Sequence, residues 1–366
     1  MTAPRLLVIG AGAIGGVTAA KLTRAGHDVV VLDANIEHVA RMRSPGLTFD
    51  ELGSRSTVTI DAVADPTELS HRFTTALITV KAPYTEAALV PLVERDLVDT
   101  YVSLGNGVVQ DLIQHITGAR NLMVGTVEWG ATNLGPGHVA QTTVAPFVLG
   151  EADGPARPRT RALAEVLSDV AEVRVTDDIG GQVWSKLLIN STFSGLGAVT
   201  GLLYGDIVAD PVRRRLAFAL WTEGFRVAEA SGTTLDEVLG VHPRQLVVRV
   251  AKDVPRAERA LAVVMDMAAA TKASMLQDLE RGVPTEVDVI NGGVVAFGLR
   301  AGVATPLNAR IVELVHDCEQ GRRQPHPGNM AEFEGLVAQP ITASDMERNV
   351  NGRQVSAVDG NTEELY

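Results

Sequence analysis

Three polar residues on one predicted helix could bind and protonate a polar substrate. Lys186, Asn190 and Ser194 are spaced four apart, and residues at that spacing share one face of an α-helix. Residues 187–189 and 193, which lie between them, are apolar, so the helix is predicted to be largely buried. A buried lysine needs a partner and is typical of functional sites. The alternative is a polar helix face in contact with water.

Two further polar residues follow predicted strands of a parallel sheet. Lys81 comes directly after the predicted strand 76–80, and Asn106 lies between two glycines after the predicted strand 101–104. Ligands of open α/β sheets lie beyond the carboxyl ends of the strands, so Lys81 is predicted to lie near a cofactor or substrate. The flanking glycines let the short amide of Asn106 reach a nicotinamide ring. The alternative for Asn106 is an ordinary turn, which Asn-Gly favours.

A glycine-rich loop with the pattern G-x-G-x-x-G lies between a predicted strand and a predicted helix. Gly10 permits a tight turn, Gly12 lets a pyrophosphate approach the backbone, and Gly15 lets the helix pack closely on the strand. The first N–H groups of the helix, near Ala13 and Ile14, would face the phosphates. The alternative is a tight turn that binds nothing, but strand, loop, helix and second strand together predict a dinucleotide site.

Asp33 stands at the end of the second predicted strand and bears on the choice of cofactor. A carboxylate at this place accepts hydrogen bonds from the ribose hydroxyls of NAD and repels the 2′-phosphate of NADP. No lysine or arginine follows before Arg41. We therefore expect NAD(H) to be favoured, with NADP(H) as the alternative because a distant loop could supply a basic residue.

The elements that must position these residues alternate between strand and helix in the first half of the chain. This pattern predicts a doubly wound, Rossmann-type parallel sheet. A hairpin is predicted over residues 46–63 with its turn at Leu52 and Gly53, and antiparallel strands at one sheet edge over residues 126–151. The predicted strands are residues 5–9, 28–32, 76–80, 101–104 and 121–124, and the predicted helices are residues 15–25, a helix from about 83, and residues 160–170.

From residue 178 onward nearly every segment has a helical pattern. The sequence therefore predicts an α/β fold of three parts, which are a dinucleotide-binding domain (1–177), a helical domain for substrate or dimerisation (178–325) and a C-terminal tail (326–366). Thr305 before Pro306 is a typical helix start. The predicted helices of this part are residues 180–204, 211–230, 235–250, 256–280, 286–301 and 306–320.

Composition limits the classes of partner. The chain has 366 residues and a formal net charge of −12, and an acidic surface repels nucleic acid. One cysteine, Cys318, excludes an intrachain disulfide and is typical of the cytoplasm. We find neither a signal-peptide pattern at the beginning of the sequence nor an apolar run long enough to span a membrane. The scattered histidines predict no metal site. We expect a soluble cytoplasmic protein that does not bind membranes, with a homodimer as a further expectation.

With these motifs in place, the sequence resembles the ketopantoate reductase (2-dehydropantoate 2-reductase) family over about residues 5–320. The resemblance rests on the order and spacing of several blocks, of which the lysine helix and the Ser-Met-Leu-Gln-Asp block are the most specific. These blocks are the glycine loop, Val80-Lys81-Ala82, Asn106-Gly107, Trp184 and Lys186 with Asn190, residues 274–278, Thr285-Glu286, and Asn291-Gly292.

The resemblance implies roles for individual residues. Lys186 matches the family's general acid, which protonates the carbonyl oxygen as hydride arrives, and Glu286 matches a carboxylate that interacts with this lysine and with substrate. The resemblance also implies substrate-binding positions at Asn190 and Ser274, and places Lys81 and Asn106 near the nicotinamide and its ribose. An ammonium that stabilises and protonates a developing alkoxide is independently reasonable chemistry. From its position alone, Glu286 could instead be a surface carboxylate at a helix start.

The sequence departs from the family pattern at three places. Ser194 replaces a second asparagine, Asp33 differs from the NADP-dependent members, and the tail beyond about residue 325 is longer than usual. The leading hypothesis is an NAD(P)-dependent reductase of a 2-oxoacid, which would be ketopantoate or a relative. Ser194 and Asp33 support the alternative of an NAD-dependent dehydrogenase that oxidises a different hydroxy acid or alcohol. A third hypothesis is a non-catalytic NAD(P)-binding sensor, against which Lys186 and Glu286 argue.

Overall fold

The computed structural model describes residues 4–118 and 122–336. Apolar runs at the predicted places form strands, which we number in chain order. The strands are β1 (Arg5–Ile9), β2 (Asp28–Leu32), β3 (Leu47–Glu51), β4 (Ser54–Val58), β5 (Asp61–Val63), β6 (Phe73–Ile78), β7 (Val98–Ser103), β8 (Leu122–Val127), β9 (Ala131–Gly135), β10 (His138–Gln141), β11 (Phe147–Glu151) and β12 (Val173–Val175).

Most of these strands form one large sheet with the order β12-β11-β8-β7-β6-β1-β2-β5. The six strands from β8 to β5 in this order are parallel, whereas β11 is antiparallel to β8 and parallel to β12. The predicted parallel α/β sheet is confirmed. Because the carboxyl ends of the parallel strands meet at one edge, the residues after β1, β2, β6, β7 and β8 come together there.

A second sheet with the order β4-β3-β10-β9 covers the first helix. The predicted hairpin is confirmed for β3 and β4, with Leu52 and Gly53 at positive φ in its turn. Residues 126–151 were expected to form antiparallel strands at one edge of the large sheet. This expectation is wrong for β9 and β10. They leave the large sheet and pair with β3 instead, because Val139 of β10 packs against the first helix, where Gly16 has no side chain to obstruct it.

Thirteen α-helices lie within the described ranges. Those that precede or follow strands of the large sheet are α1 (Ala13–Arg24), α2 (Ile36–Arg41), α3 (Thr85–Glu94), α4 (Gln110–Thr117) and α5 (Pro158–Leu167). The helical part contains α6 (Ile179–Ile189), α7 (Gly195–Thr200), α8 (Tyr204–Ala209), α9 (Pro211–Ala230), α10 (Val254–Ala268), α11 (Ser274–Arg281), α12 (Val287–Ala301) and α13 (Pro306–Glu319). Thr305 precedes Pro306 at the start of α13, as predicted.

Three helix predictions in this part are wrong. Residues 180–204 form two α-helices, α6 and α7, which are joined by a wide π-type turn (Asn190–Ser194), and Gly201, at φ 74°, ends α7. Residues 256–280 are divided between α10 and α11. Residues 235–250 contain no α-helix, since Leu239 and Gly240 adopt positive φ and the only regular turn there is a 3₁₀ helix (Pro243–Leu246).

The end of the described chain packs on the helical part. The predicted tail, 326–366, begins with a 3₁₀ helix (Pro327–Phe333). The Asn329 side chain donates a hydrogen bond to the carbonyl of Val199, and Phe333 is 2% exposed. Residues 337–366 of the predicted tail lie outside the described residues.

A buried polar network joins three helices of this part. The Glu223 carboxylate of α9 accepts hydrogen bonds from the backbone N–H groups of Leu307 and Asn308 and from the Asn308 side chain. Asn291 of α12 donates to Asn308 and to the carbonyl of Ser191 in the π-type turn. Glu223 thus satisfies N–H groups at the start of α13 that the helix itself cannot bond.

Substitution of Glu223 by alanine should therefore destabilise the fold strongly. Three buried donors would lose their acceptor, which costs about 2–4 kcal/mol. Glu229 is on the same helix, and its half-exposed carboxylate pairs only with Arg244 and Arg249 among the described residues, so Glu229→Ala should cost less than about 1 kcal/mol. Denaturant unfolding of both variants measures the difference, and equal losses would contradict this role of Glu223.

Candidate functional site

The glycine loop between β1 and α1 leaves room for a phosphate group. A Cβ atom at Gly15 would overlap the carbonyl oxygen of Gly10 and the Thr79 hydroxyl, whereas a Cβ at Gly12 would meet nothing within 4 Å. Gly12 caps α1, no side chain caps the helix start, and the first turn carries no acidic residue. The free N–H groups of a helix start beside open space suit an anion, so these residues fit a dinucleotide pyrophosphate.

Asp33 and His38 hold the loop in this shape. One Asp33 oxygen accepts the N–H of Ala11 (2.7 Å) and the other accepts the N–H of Asn35 (2.9 Å). The buried His38 ring donates from Nε2 to the carbonyl of Ala11 (2.8 Å) and accepts the N–H of Gly137 at Nδ1 (2.7 Å). These partners require the neutral ring with its proton on Nε2. Sequence reasoning missed His38, because its partner Gly137 is about a hundred residues away.

Lys186 points from α6 to the sheet edge. Its ammonium donates a hydrogen bond to the carbonyl of Val127 at the end of β8 (2.7 Å). Burial lowers the pKa of Lys186 to about 8, and the negative charges of Glu286 and Glu128 oppose this shift. The single described acceptor leaves the other two N–H bonds of the ammonium available to a ligand.

Glu286 lies buried immediately before α12 and binds two loops of the sheet edge. Its carboxylate accepts hydrogen bonds from the Asn106 side chain (3.1 Å) and from the N–H of Ala82 (3.4 Å). Glu286 is 7% exposed to solvent. Burial raises the pKa of Glu286, while Asn106, Lys81 and the Ala82 N–H act in the opposite direction. The structure therefore brings Glu286, Asn106 and Lys81 together. Lys186 is close enough for the negative charge of Glu286 to raise its pKa.

Asp278 connects the same edge to α11. Its carboxylate is 2% exposed and pairs with both Lys81 and Arg281. A buried acid between two cations satisfies the requirement that a buried charge be paired. The sequence placed Asp278 in a recognisable block but did not predict its pairing with Lys81, because Lys81 is nearly two hundred residues away in the chain.

Comparison with known proteins identifies the family to which the chain belongs. A family model described as "Ketopantoate reductase PanE/ApbA" matches residues 6–154, and its counterpart "Ketopantoate reductase PanE/ApbA C terminal" matches residues 178–319. The chain belongs to the ketopantoate reductase family. It is accordingly an oxidoreductase that acts on CH–OH groups with a nicotinamide cofactor.

Individual relatives agree over nearly their whole length. The chain is 29% identical to a 2-dehydropantoate 2-reductase of Archaeoglobus fulgidus over 325 residues, which are 88% of this chain and 100% of the relative. A solved ketopantoate reductase family structure from Ralstonia eutropha JMP134 has 26% identity and a TM-score of 0.74, covering 87% of this chain and 99% of that one. D-mandelate dehydrogenase, solved with NADH and anilino(oxo)acetate, shares the fold at 24% identity and a TM-score of 0.74, with coverage of 86% and 99%.

The remaining family positions differ in how available they are to a ligand. Asn190 is half-buried, and no described residue forms a hydrogen bond with its amide. Ser274 is exposed as the first residue of α11. Ser194 is 2% exposed, and its Oγ lies 2.6 Å from the Tyr204 hydroxyl. The π-type turn breaks the expected α-helical spacing before Ser194. The Ser194 hydroxyl is therefore engaged by Tyr204 rather than presented on the same helix face as Lys186 and Asn190.

The described residues set two limits on the kinds of site that the protein contains. None of their helices combines the length and apolar character that crossing a bilayer requires. Within residues 4–118 and 122–336, no group of three or more His, Cys, Asp or Glu side chains is arranged to hold a metal ion.

The loop geometry predicts different effects for two alanine substitutions. Gly12→Ala should leave the free energy of unfolding within about 0.5 kcal/mol of wild type, because its Cβ enters open space, but should weaken cofactor binding at least tenfold. Gly15→Ala should destabilise the fold by about 1–3 kcal/mol, because its Cβ overlaps backbone. Thermal unfolding and calorimetric titration with NADH and NADPH measure the two effects. Wild-type affinity in Gly12→Ala would show that no phosphate approaches Gly12.

Proposed function

We propose that the protein reduces a 2-oxoacid, ketopantoate or a relative, to the 2-hydroxy acid, with Lys186 as the general acid. The observation that carries this proposal is the partly desolvated Lys186 ammonium, anchored on the Val127 carbonyl at the cofactor edge of the sheet. Its pKa of about 8 lets it hold a proton at neutral pH and still release it readily.

The reaction needs a proton at one defined oxygen. When bound at the glycine loop, a reduced nicotinamide cofactor would supply the hydride for the carbonyl carbon, and negative charge would then develop on the carbonyl oxygen of the substrate. Lys186 stabilises that charge through its free N–H bonds and transfers one proton to the oxygen, leaving a neutral amine and an alcohol. The Val127 carbonyl fixes the direction of the ammonium, so little reorganisation accompanies the transfer.

Glu286 stabilises the protonated form of Lys186 and positions the neighbouring loop. As an anion it favours the protonated lysine, and its hydrogen bond to Asn106 fixes the loop after β7 beside the nicotinamide position. The sensor hypothesis would give no reason for a buried carboxylate and a partly desolvated ammonium to face one cleft. We therefore prefer an enzyme to a non-catalytic binding protein.

The substrate carboxylate would find its ligands on the helical part. The Asn190 amide is available, and Ser274 is exposed at the start of α11. The buried pair of Ser194 and the Tyr204 hydroxyl differs in chemistry from an asparagine, which supports a relative of ketopantoate, or oxidation of another hydroxy acid, as the alternative. Asp33 supports NADH as the favoured cofactor, with NADPH as the alternative.

The other sequence expectations remain proposals. We propose domains at 1–177 and 178–325, because the last strand ends at Val175 and helices follow from Ile179. The cytoplasmic location, the homodimer and the absence of nucleic-acid and membrane partners remain predictions.

An assay of purified protein with a panel of 2-oxoacids tests the proposed function. Loss of absorbance at 340 nm should follow the addition of NADH or NADPH with at least one oxoacid of a panel that includes ketopantoate and other branched or aromatic oxoacids. Faster oxidation of a different hydroxy acid would favour the alternative dehydrogenase. Cofactor binding without turnover on any member of the panel would favour the sensor.

Lys186 should control the pH profile. Because the acid form has a pKa of about 8, reduction should be fastest below pH 8 and fall as the pH rises through this value. The reverse oxidation needs the neutral amine, so it should rise over the same interval. Lys186→Ala should lower kcat by about 10²–10⁴-fold and abolish this pH dependence, with NADH affinity within about twofold of wild type.

Lys252→Ala, which removes an exposed lysine of the helical part, is the matched control and should keep wild-type kcat and pH profile. Unchanged turnover in Lys186→Ala, or loss of the pH 8 limb in the control, would contradict the assignment.

A further inference from the structure

A cavity of about 420 Å³ lies beside the glycine loop and is walled from both halves of the chain. Its walls are Asp33, Asn35 and His38 after β2, residues 133–136 of the β9–β10 hairpin, and Arg281 of α11. Asp33 and His38 are both bonded to Ala11 of the loop. This cavity is therefore the place where the adenosine half of a bound dinucleotide would lie.

The acidic wall of the cavity can still accept hydrogen bonds. Each Asp33 oxygen accepts one backbone N–H, from Ala11 or Asn35. A carboxylate offers about four lone-pair sites, so two remain for ribose hydroxyls. Considered alone, this wall would disfavour a 2′-phosphate through charge repulsion.

The opposite wall carries a guanidinium that is oriented but not saturated. Arg281 donates from Nε to the carbonyl of Gln277 (3.1 Å) and from Nη2 to Asp278 (2.7 Å). Of the five N–H bonds of a guanidinium, the described residues thus accept two. The Asp278 carboxylate also pairs with Lys81, so its charge is shared and Arg281 is not neutralised by it alone. The remaining donors of Arg281 are half-exposed in the cavity.

We propose that Arg281 is a specificity-determining residue that binds the 2′-phosphate of NADPH, so that the protein accepts NADPH in spite of Asp33. This inference rests on the proposed use of the cleft for a nicotinamide dinucleotide and names the residue that sets its phosphate preference. A guanidinium matches the shape and charge of a phosphate and forms charge-assisted hydrogen bonds with it. The cation comes from about 250 residues after Asp33, which is why the segment after β2 gives no sign of it.

Binding measurements on the full chain test the proposal without any oxoacid. Calorimetric titration of wild type and Arg281→Gln with NADPH and NADH should show a 10–100-fold weaker Kd for NADPH in the variant and a change within about twofold for NADH. The fragments adenosine 2′,5′-bisphosphate and 5′-AMP, which differ in the 2′-phosphate alone, should show the same contrast. Because nothing turns over in this experiment, failure of the oxoacid assay would leave its outcome intact.

Two further variants complete the test. Arg300→Gln removes an exposed arginine of the helical part that pairs with Asp111, and it should leave both Kd values unchanged. Arg281→Lys keeps the charge, should fold if loss of the Asp278 pair disturbs the glutamine variant, and should retain NADPH affinity between those of wild type and Arg281→Gln. Equal weakening of NADPH and NADH, or an NADPH to NADH ratio that does not change in Arg281→Gln, would overturn the proposal.

Discussion

The buried Glu286 carboxylate is the contact on which the arrangement of the cleft depends. It stands immediately before α12 and accepts hydrogen bonds from the loops after β6 and β7. The same two parts meet again where the N–H of Val108 bonds to the carbonyl of Val289, and a side chain at Gly107 would overlap that carbonyl. The helical part therefore approaches the sheet edge to backbone contact. The resulting burial lowers the pKa of Lys186 and raises the pKa of Glu286, because a charged group is less stable away from water.

Much of the fold could be predicted from the sequence because local patterns and their order determined it. The strand, glycine loop and helix at residues 5–24 and the hairpin turn at Leu52 and Gly53 all carry their own signals. The helical predictions failed where tertiary contacts override the local pattern. Apolar residues at 235–250 suit a helix, yet Leu239 and Gly240 turn the chain, and the hydrogen bond from Asn291 to Ser191 supports an irregular turn after α6.

The site was predictable in its residue types but not in its pairings. Chain order within a parallel sheet predicts that Lys81 and Asn106 lie at one edge, whereas Lys186 and Glu286 reach that edge from the helical part. The partners of these residues were hidden from sequence reasoning. The Val127 carbonyl that orients Lys186, the Asp278 carboxylate that binds Lys81, and the Tyr204 hydroxyl against Ser194 each come from another element. Backbone acceptors and long-range pairs leave no periodic mark in a sequence.

The shared carboxylate of Asp278 has a consequence for how the cleft responds to a ligand. One buried anion balances Lys81, which follows the central strand, and Arg281, which faces the cavity beside Asp33. A ligand group that draws Arg281 away leaves more of that negative charge to Lys81, and the converse also holds. The two cations are thus thermodynamically linked, and linkage is reciprocal. Occupancy at the adenosine end and occupancy near Lys81 would then each change the affinity at the other.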